Sequence, residues 1–287
     1  MENIPFCFLN IYKPKGITSF DVIYKLRKKL SIKKIGHSGT LDPFAEGVMQ
    51  VAVGNATRLI EYLDSNKEYI ATAKFCYSST TLDTEGEIKE LPYKKFSKDE
   101  IKKAIEKFKG KIKQTPPKYS AIKVNGQKLC DIARKNPEKE IEIPEREVEI
   151  YDIELLDFKE NIAKIKVKCS KGTYIRTLAS DIAKSLGTDA YLTELIRTKA
   201  GNFELKNSVK IEDVDLEKNG INPLFAINLA EYELDDEEFN LIKNGVKIKV
   251  NLNKNNTHIK LSYKKHLVSI GVLSDNIIKV EKFFNLG

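Results

Sequence analysis

The side chains with the most chemical capacity in the first half of the chain sit in one loop, GHSGTLDPFAEGV, residues 36–48. His37, Ser38 and Asp42 are the residue types of a hydrolytic triad. Triads are assembled across a fold, and adjacent His37 and Ser38 would point apart, so that chemistry is set aside. The loop also lacks the G-x-x-x-x-G-K-[ST] and G-x-G-x-x-G spacings that cradle nucleotide phosphates. Asp42 remains. Pro43 biases it away from helical backbone, and Gly36, Gly39 and Gly47 permit bends on either side. Two readings stand. In one, which the loop taken alone favours, the carboxylate bonds its own backbone in an Asp-Pro turn. In the other it is held ready as a nucleophile, at low entropic cost when it acts. The second needs a partner that keeps the carboxylate charged in a closed site, and a planar, permanently charged arginine suits best. CSKGTYIRTL offers Arg176 at a strand-to-helix turn after Gly172, against the commoner case of a surface arginine.

Positioning these groups falls to the flanking elements. PFCFLNIY, residues 5–12, reads as a strand, and Thr18 or Ser19 caps a helix whose apolar face is Val22, Ile23, Leu26 and Leu30. After the loop, VMQVAVG is a buried strand ending at Gly54, ATRLIEYL is helical, and KEYIATAKFCY is a strand from Lys67. Residues 97–110 make the clearest helix. A Ser97/Glu100 capping box opens it, Ile101, Ala104, Ile105 and Phe108 line one face, and Gly110 stops it. TPPKYSAIKVNGQKL is a loop rich in Pro, Gly and Lys, followed by a short helix and a strand in EVEIYDIELL. AKIKVKCS alternates, with Ile165, Val167 and Cys169 towards a core and Lys164, Lys166 and Lys168 on a basic face. GTYIRTLASDIAKSLG turns into a helix bearing Leu178, Ile182 and Leu186. Strands and helices interleave without repeated βαβ spacing. That predicts an α+β fold: a largely antiparallel mixed sheet with flanking helices. From about residue 235, short lysine-rich strands predict a small C-terminal β-barrel.

The 287 residues suit two domains, divided as 1–230 and 235–287. No stretch approaches the roughly 18 apolar residues of a membrane helix. The N-terminus is too short and too polar beyond Leu9 for a secretory signal, so a soluble, cytoplasmic protein is expected. Cys7, Cys76, Cys130 and Cys169 form no C-x-x-C, and His37, His258 and His266 do not cluster with them, which argues against zinc sites and disulfides. The net charge of +8 is unevenly spread. Residues 1–40 carry eight Lys/Arg against two acids, residues 204–240 three against eleven, and residues 239–287 nine against two. Two basic bodies joined by an acidic stretch fit a polyanion held at two places. Solvated lysine faces account for the same charges.

Taken together, KPKGITSFDVI, GHSGTLDPFAEGV, KEYIATAKF, TTLDTEGE, PPKYSAIKVNGQKL, CSKGTYIRTLASDIAKSLG and AYLTELIRTKAGNF resemble, in order, the motifs of the TruB-type tRNA pseudouridine synthases over most of residues 8–203. One such piece is weakly specific, but the collinear series is very specific. The resemblance implies the pseudouridine synthase fold followed by a PUA-like RNA-binding domain. It implies isomerisation of the T-loop uridine of tRNA, position 55, to pseudouridine, with no cofactor and no metal. Asp42 matches the family's nucleophile, Tyr69 the tyrosine that stacks on the target base, Arg176 the aspartate's partner, and Leu195 the leucine packed near the base. His37 matches a histidine that splays the RNA loop, and Lys13 a lysine near the site. Lys123, in an RNA-contacting insertion around 111–145, joins Lys164 and Lys166 in holding RNA. The C-terminal domain would reach the acceptor stem, and the enzyme is expected as a monomer. The reaction breaks the N1–C1′ bond, rotates the base and joins C5 to C1′, with no net redox change. A carboxylate divides it into two easier steps, by adding to C1′, adding to C6 or removing the 2′ proton. Two other functions suit the same fold: a catalytically silent tRNA-binding or folding protein, and a guide-RNA-dependent synthase. The short N-terminus and compact tail argue against the latter. The chain departs from the family pattern at Cys130, where a Tyr is expected, and at Ser38, where Thr is commoner.

Overall fold

The computed structural model describes residues 5–120, 122–124, 126–135, 141–252 and 257–284. The elements run β1 (Phe6–Lys13), α1 (Ser19–Leu30), β2 (Ile35–His37), β3 (Glu46–Gly54), a 3₁₀ segment (Asn55–Tyr62), β4 (Lys67–Phe75), β5 (Tyr77–Ser79), β6 (Ile88–Glu90), α2 (Lys98–Glu106) and β7 (Gly110–Gln114). There follow β8 (Lys123–Val124), β9 (Gln127–Lys128), α3 (Leu129–Lys135), β10 (Arg146–Lys159), β11 (Ile162–Cys169), α4 (Ile175–Lys184), β12 (Ala190–Ala200), β13 (Phe203–Glu204) and β14 (Val209–Lys210). The last are α5 (Leu216–Asn219), α6 (Pro223–Ala226), β15 (Ala230–Glu233), α7 (Asp236–Lys243), β16 (Ile248–Lys249), β17 (Thr257–Tyr263), β18 (His266–Ser274) and β19 (Ile277–Phe283).

One large mixed sheet runs β14-β1-β3-β12-β4-β11-β10-β7, with β2 beside β3 and β13 beside β12. Its pairs are antiparallel except β1 with β14 and β3 with β12. Helices flank it, as the interleaved signals predict. The capping boxes explain where two of them begin: Thr18 with Asp21 opens α1, and Ser97 with Glu100 opens α2. The alternation in β11 buries Ala163, Ile165, Val167 and Cys169 and leaves the lysines between them outward. Three local expectations change. ATRLIEYL winds as a 3₁₀ segment, not an α-helix. Cys76, at φ 64, ends β4 and separates it from β5, so KEYIATAKFCY is not one strand. α2 stops at Glu106, and Gly110, at φ +100, opens β7 rather than closing the helix.

The C-terminal strands form a second sheet, β15-β17-β18-β19-β16. Among the described residues β15 and β16 remain unpaired edges, so the expected barrel is an open sheet. The acidic run at 235–238 is not a bare linker. Asp235 and Glu238 make a capping box, and the acids sit in the first turn of α7, where the helix dipole favours them. The two sheets meet through a shared apolar cluster that includes Phe8 and Val48 from the first, Leu59 from the 3₁₀ segment, Leu267 and Ile270 from the second, and Phe284 just after β19. Phe6 stacks on Phe284 at 5.1 Å. Among the described residues no helix is long and apolar enough to cross a membrane.

Candidate active site

The centre of the large sheet sets three side chains side by side. β12 runs antiparallel to β4, pairing Arg197 with Tyr69 and Leu195 with Ala71. β12 also runs parallel to β3, with Arg197 opposite Gly47 at the end of the 36–48 loop. A Cβ on Gly47, at φ +114, would lie 2.3 Å from the Arg197 carbonyl oxygen, so only glycine allows this approach. Gly36 and Gly39 lie outside the left-handed region, and the bends expected there draw on no glycine freedom.

Side chains and backbone from other parts of the chain fix this loop. Arg197, 2% exposed, donates from Nε to Val48 O at 2.6 Å, from Nη1 to Thr40 O at 3.2 Å and from Nη2 to Gly39 O at 3.3 Å. Ser19, the first residue of α1, donates from Oγ to Leu41 O at 2.9 Å and accepts from Leu41 N–H at 2.8 Å. Pro43 O accepts from Gly16 N–H at 2.8 Å and from Lys13 Nζ at 3.3 Å. Lys13 also donates to Pro14 O and Ile17 O. Asp42 O accepts from Ala45 N–H at 3.1 Å. The turn expected at Asp-Pro therefore exists, but the main chain makes it, and the carboxylate is left to other work.

That carboxylate meets Arg176. Arg176 opens α4 after the Gly172 turn, and its Nε lies 2.9 Å from Asp42 Oδ2. The contact is ionic rather than a directed hydrogen bond, since Nε–H is not aimed at an acceptor. Nη1 lies 3.1 Å from Asp83 Oδ2 and bonds Thr81 O at 2.8 Å, and Nη2 bonds Tyr119 O at 3.1 Å. Asp83 is 1% exposed, whereas the Asp42 side chain is 32% exposed, so of the two acids on this guanidinium Asp42 is the one a substrate can reach. Burial raises the Asp42 carboxyl above the ordinary aspartate range, and Asp83 adds to the rise. Arg176 and, less so, Lys13 pull it down. Burial likewise raises Tyr69, with the Arg197 charge opposing.

Asp42, Tyr69, Arg176 and Leu195 line one cavity of about 430 Å³, a size that admits a small ligand. The other expected residues lie elsewhere. Lys13 has no accessible surface and spends its ammonium on three carbonyls, so it fastens the loop rather than offering itself to RNA. His37 ends β2 outside the cavity lining, where burial and Arg197 hold its imidazole below the usual histidine value. Lys164 and Lys166 project from the sheet face opposite Val167 and Tyr69, because Lys166 pairs with Ile70 and Val167 with Tyr69. Lys166 there approaches Glu68 at 3.5 Å. The Lys123 side chain lies outside the described residues. Arg197 and Asp83 went unmarked among the sequence candidates. Arg197 carried a signal, a charge in phase with buried Leu195 on a strand, where charges are rare unless satisfied.

The comparisons with known proteins agree on what this cavity belongs to. A model of the TruB family pseudouridylate synthase N-terminal domain matches residues 27–175, and one of the tRNA pseudouridylate synthase B C-terminal domain matches residues 176–220. The chain belongs to the TruB family. The two models meet inside α4, between Ile175 and Arg176, and the C-terminal sheet lies beyond both. A Fusobacterium nucleatum protein named tRNA pseudouridine synthase B is 44% identical over 283 residues, covering 96% of this chain and 98% of its own. One of that name from Clostridium tetani is 44% identical, covering 84% and 85%. Among solved structures, a chain of a Cbf5-Nop10-Gar1 complex superposes with a TM-score of 0.76 at 25% identity, covering 99% of this chain and 86% of its own.

Proposed function

We propose that this TruB family chain isomerises the T-loop uridine of tRNA, position 55, to pseudouridine. The observation that carries the reading is the pairing of an accessible Asp42 carboxylate with Arg176, in a cavity that also holds Tyr69 and Leu195. The curated relatives above carry the name of that enzyme. Reaching a base inside an RNA fold means extruding it, which costs a few kcal/mol. Stacking on Tyr69 offsets part of that, about 1–3 kcal/mol per base. Asp42 then acts as the nucleophile. Its addition to C1′, its addition to C6 and its removal of the 2′ proton all need the ionised form, which Arg176 favours against burial. N1–C1′ breaks, the base turns, C5–C1′ forms, and the proton lost from C5 is balanced by the one gained at N1. Substrate and product are isomers, so no cofactor or metal is called for.

Residues 1–230 carry this chemistry. Lys123, in the insertion around 111–145, holds RNA together with Lys164, Lys166 and His37. The segment from 235 onward acts as a PUA-like module on the acceptor stem, supported by its basic charge and its sheet of short strands. The protein works as a monomer in the cytoplasm, where tRNA is found. The test is incubation of the purified protein with unmodified tRNA, without guide RNA, scoring pseudouridine at each uridine. Conversion at the T-loop position is expected. Binding without turnover would favour a silent tRNA-binding protein, and turnover only on adding guide RNA would favour the guided relative.

A further inference from the structure

We propose that Lys67 holds a backbone phosphate beside the extruded uridine, gripping it together with the neighbouring 170–173 turn, which continues from Cys169, the partner of Lys67 on β11. The inference rests on the pseudouridine synthase reading and adds a substrate contact to it. Lys67 is the first residue of β4, two before Tyr69. Side chains two apart leave a strand on the same face, about 6–7 Å from one another. Both line the Asp42 cavity. The Lys67 stem lies along the catalytic loop, with Cε 4.0 Å from where a Gly39 Cβ would stand.

The other cations around this loop are taken. Arg176 serves two aspartates, while Arg197 and Lys13 each serve three carbonyls. Lys67 differs. Among the described residues its Nζ has no hydrogen-bond acceptor and no carboxylate within 4.0 Å, and Asp64 acts on it only from farther off. Burial, with Arg197 adding repulsion, lowers it to about 8, which still leaves it mostly protonated at neutral pH. A half-buried ammonium with its donors unspent lacks an anion. The substrate brings one. With the base on Tyr69, a phosphate lies one sugar away, on the scale of the step back along β4 to Lys67. The adjacent turn suits the same group. Ser170, Lys171, Gly172 and Thr173 line the cavity just before α4, and the N-cap of that helix makes no side-chain capping bond. A helix start of this kind favours negative charge. A uracil carbonyl offers an acceptor but no countercharge.

The test uses the full-length protein and tRNA T-arm RNAs with a neutral methylphosphonate at the linkage 5′ or 3′ of the target uridine. On unmodified RNA, Lys67→Met is expected to lower kcat/KM about 10- to 100-fold, the range of one lost charge-assisted contact. On one of the two neutral RNAs, wild type should fall by a similar factor, and Lys67→Met should then cost little more. An equal penalty for Lys67→Met on all three RNAs would overturn the proposal, because it would make Lys67 a structural residue. The wild-type arm stands even if the variant does not fold: no loss on either neutral RNA refutes the phosphate grip. Absence of pseudouridine from wild type on unmodified RNA would instead sink the reading of the reaction.

Discussion

Residues 39–43 and the C-terminal sheet are both fastened to the large sheet, by opposite means. The loop has almost no regular structure, and each of its carbonyls is bonded: Gly39 and Thr40 by Arg197, Leu41 by Ser19, Asp42 by Ala45, Pro43 by Gly16 and Lys13. The C-terminal sheet relies on backbone ladders and on an apolar cluster of its own, including Leu261, Val268, Leu273 and Ile278. Its docking combines apolar packing with polar ties, Arg58 to Phe283 O and Lys282 to Arg58 O and Glu61 among them. Phe284 lies against Phe6 with Arg58 above it, and buried Lys260 reaches across to the carbonyls of Leu224 and Ile227 at the end of α6. The contrast shows how a carboxylate is kept ready. Apolar packing tolerates small adjustments, whereas a loop whose carbonyls are all bonded from outside has little room to move the charge it carries.

Each side of the contrast can be broken separately. The largest expected effect is at the shared guanidinium. Arg176→Met leaves Asp42 and Asp83 without their counter-ion, and breaking a buried pair costs about 3–5 kcal/mol. Thermal unfolding should report that loss, and single-turnover conversion should fall with it. Leu261→Ala, at 0% exposure in the second sheet, should cost about 2–5 kcal/mol by leaving a cavity. At temperatures where it stays folded, its single-turnover rate should remain near wild type, since Leu261 touches nothing in the loop. Ser19→Ala removes the hydroxyl that bonds both backbone groups of Leu41 and should cost about 1–3 kcal/mol, with the rate falling more than the stability loss alone explains. The smallest effect is a shift in pH dependence. If the reaction uses the Asp42 carboxylate as proposed, its raised pKa means that the rate should fall on acidification at a pH above the usual aspartate range. Asp83→Asn removes one of the raising charges, so its acid limb should move to lower pH in single-turnover profiles.

The same contrast explains what was legible in the sequence. Alternation in β11, the N-cap of α1 and the capping box of α2 are local patterns, and they forecast where those elements begin. Asp42 and Arg176 were legible as types because a nucleophilic carboxylate needs a permanent cation. The holders of the loop were not. Arg197 lies over 150 residues from Gly39 and Thr40, and its aim depends on a strand register that a bulge between Leu192 and Glu194 resets. Lys13 was legible only as a lysine near the site, because nothing local says that three carbonyls converge on it. The second sheet was legible as strands but not as an open array, since closure depends on edge pairing, and α7 was hidden in what looked like an acidic linker.

The central claim is that one ionised carboxyl group, on a loop fixed from outside itself, carries out the isomerisation. Single-turnover conversion of saturating tRNA by Asp42→Asn, with binding measured on the same sample, tests it most directly. The account predicts tRNA bound as tightly as by wild type and pseudouridine formed more than about a thousandfold more slowly. Conversion by the Asn variant at a rate near wild type would contradict it.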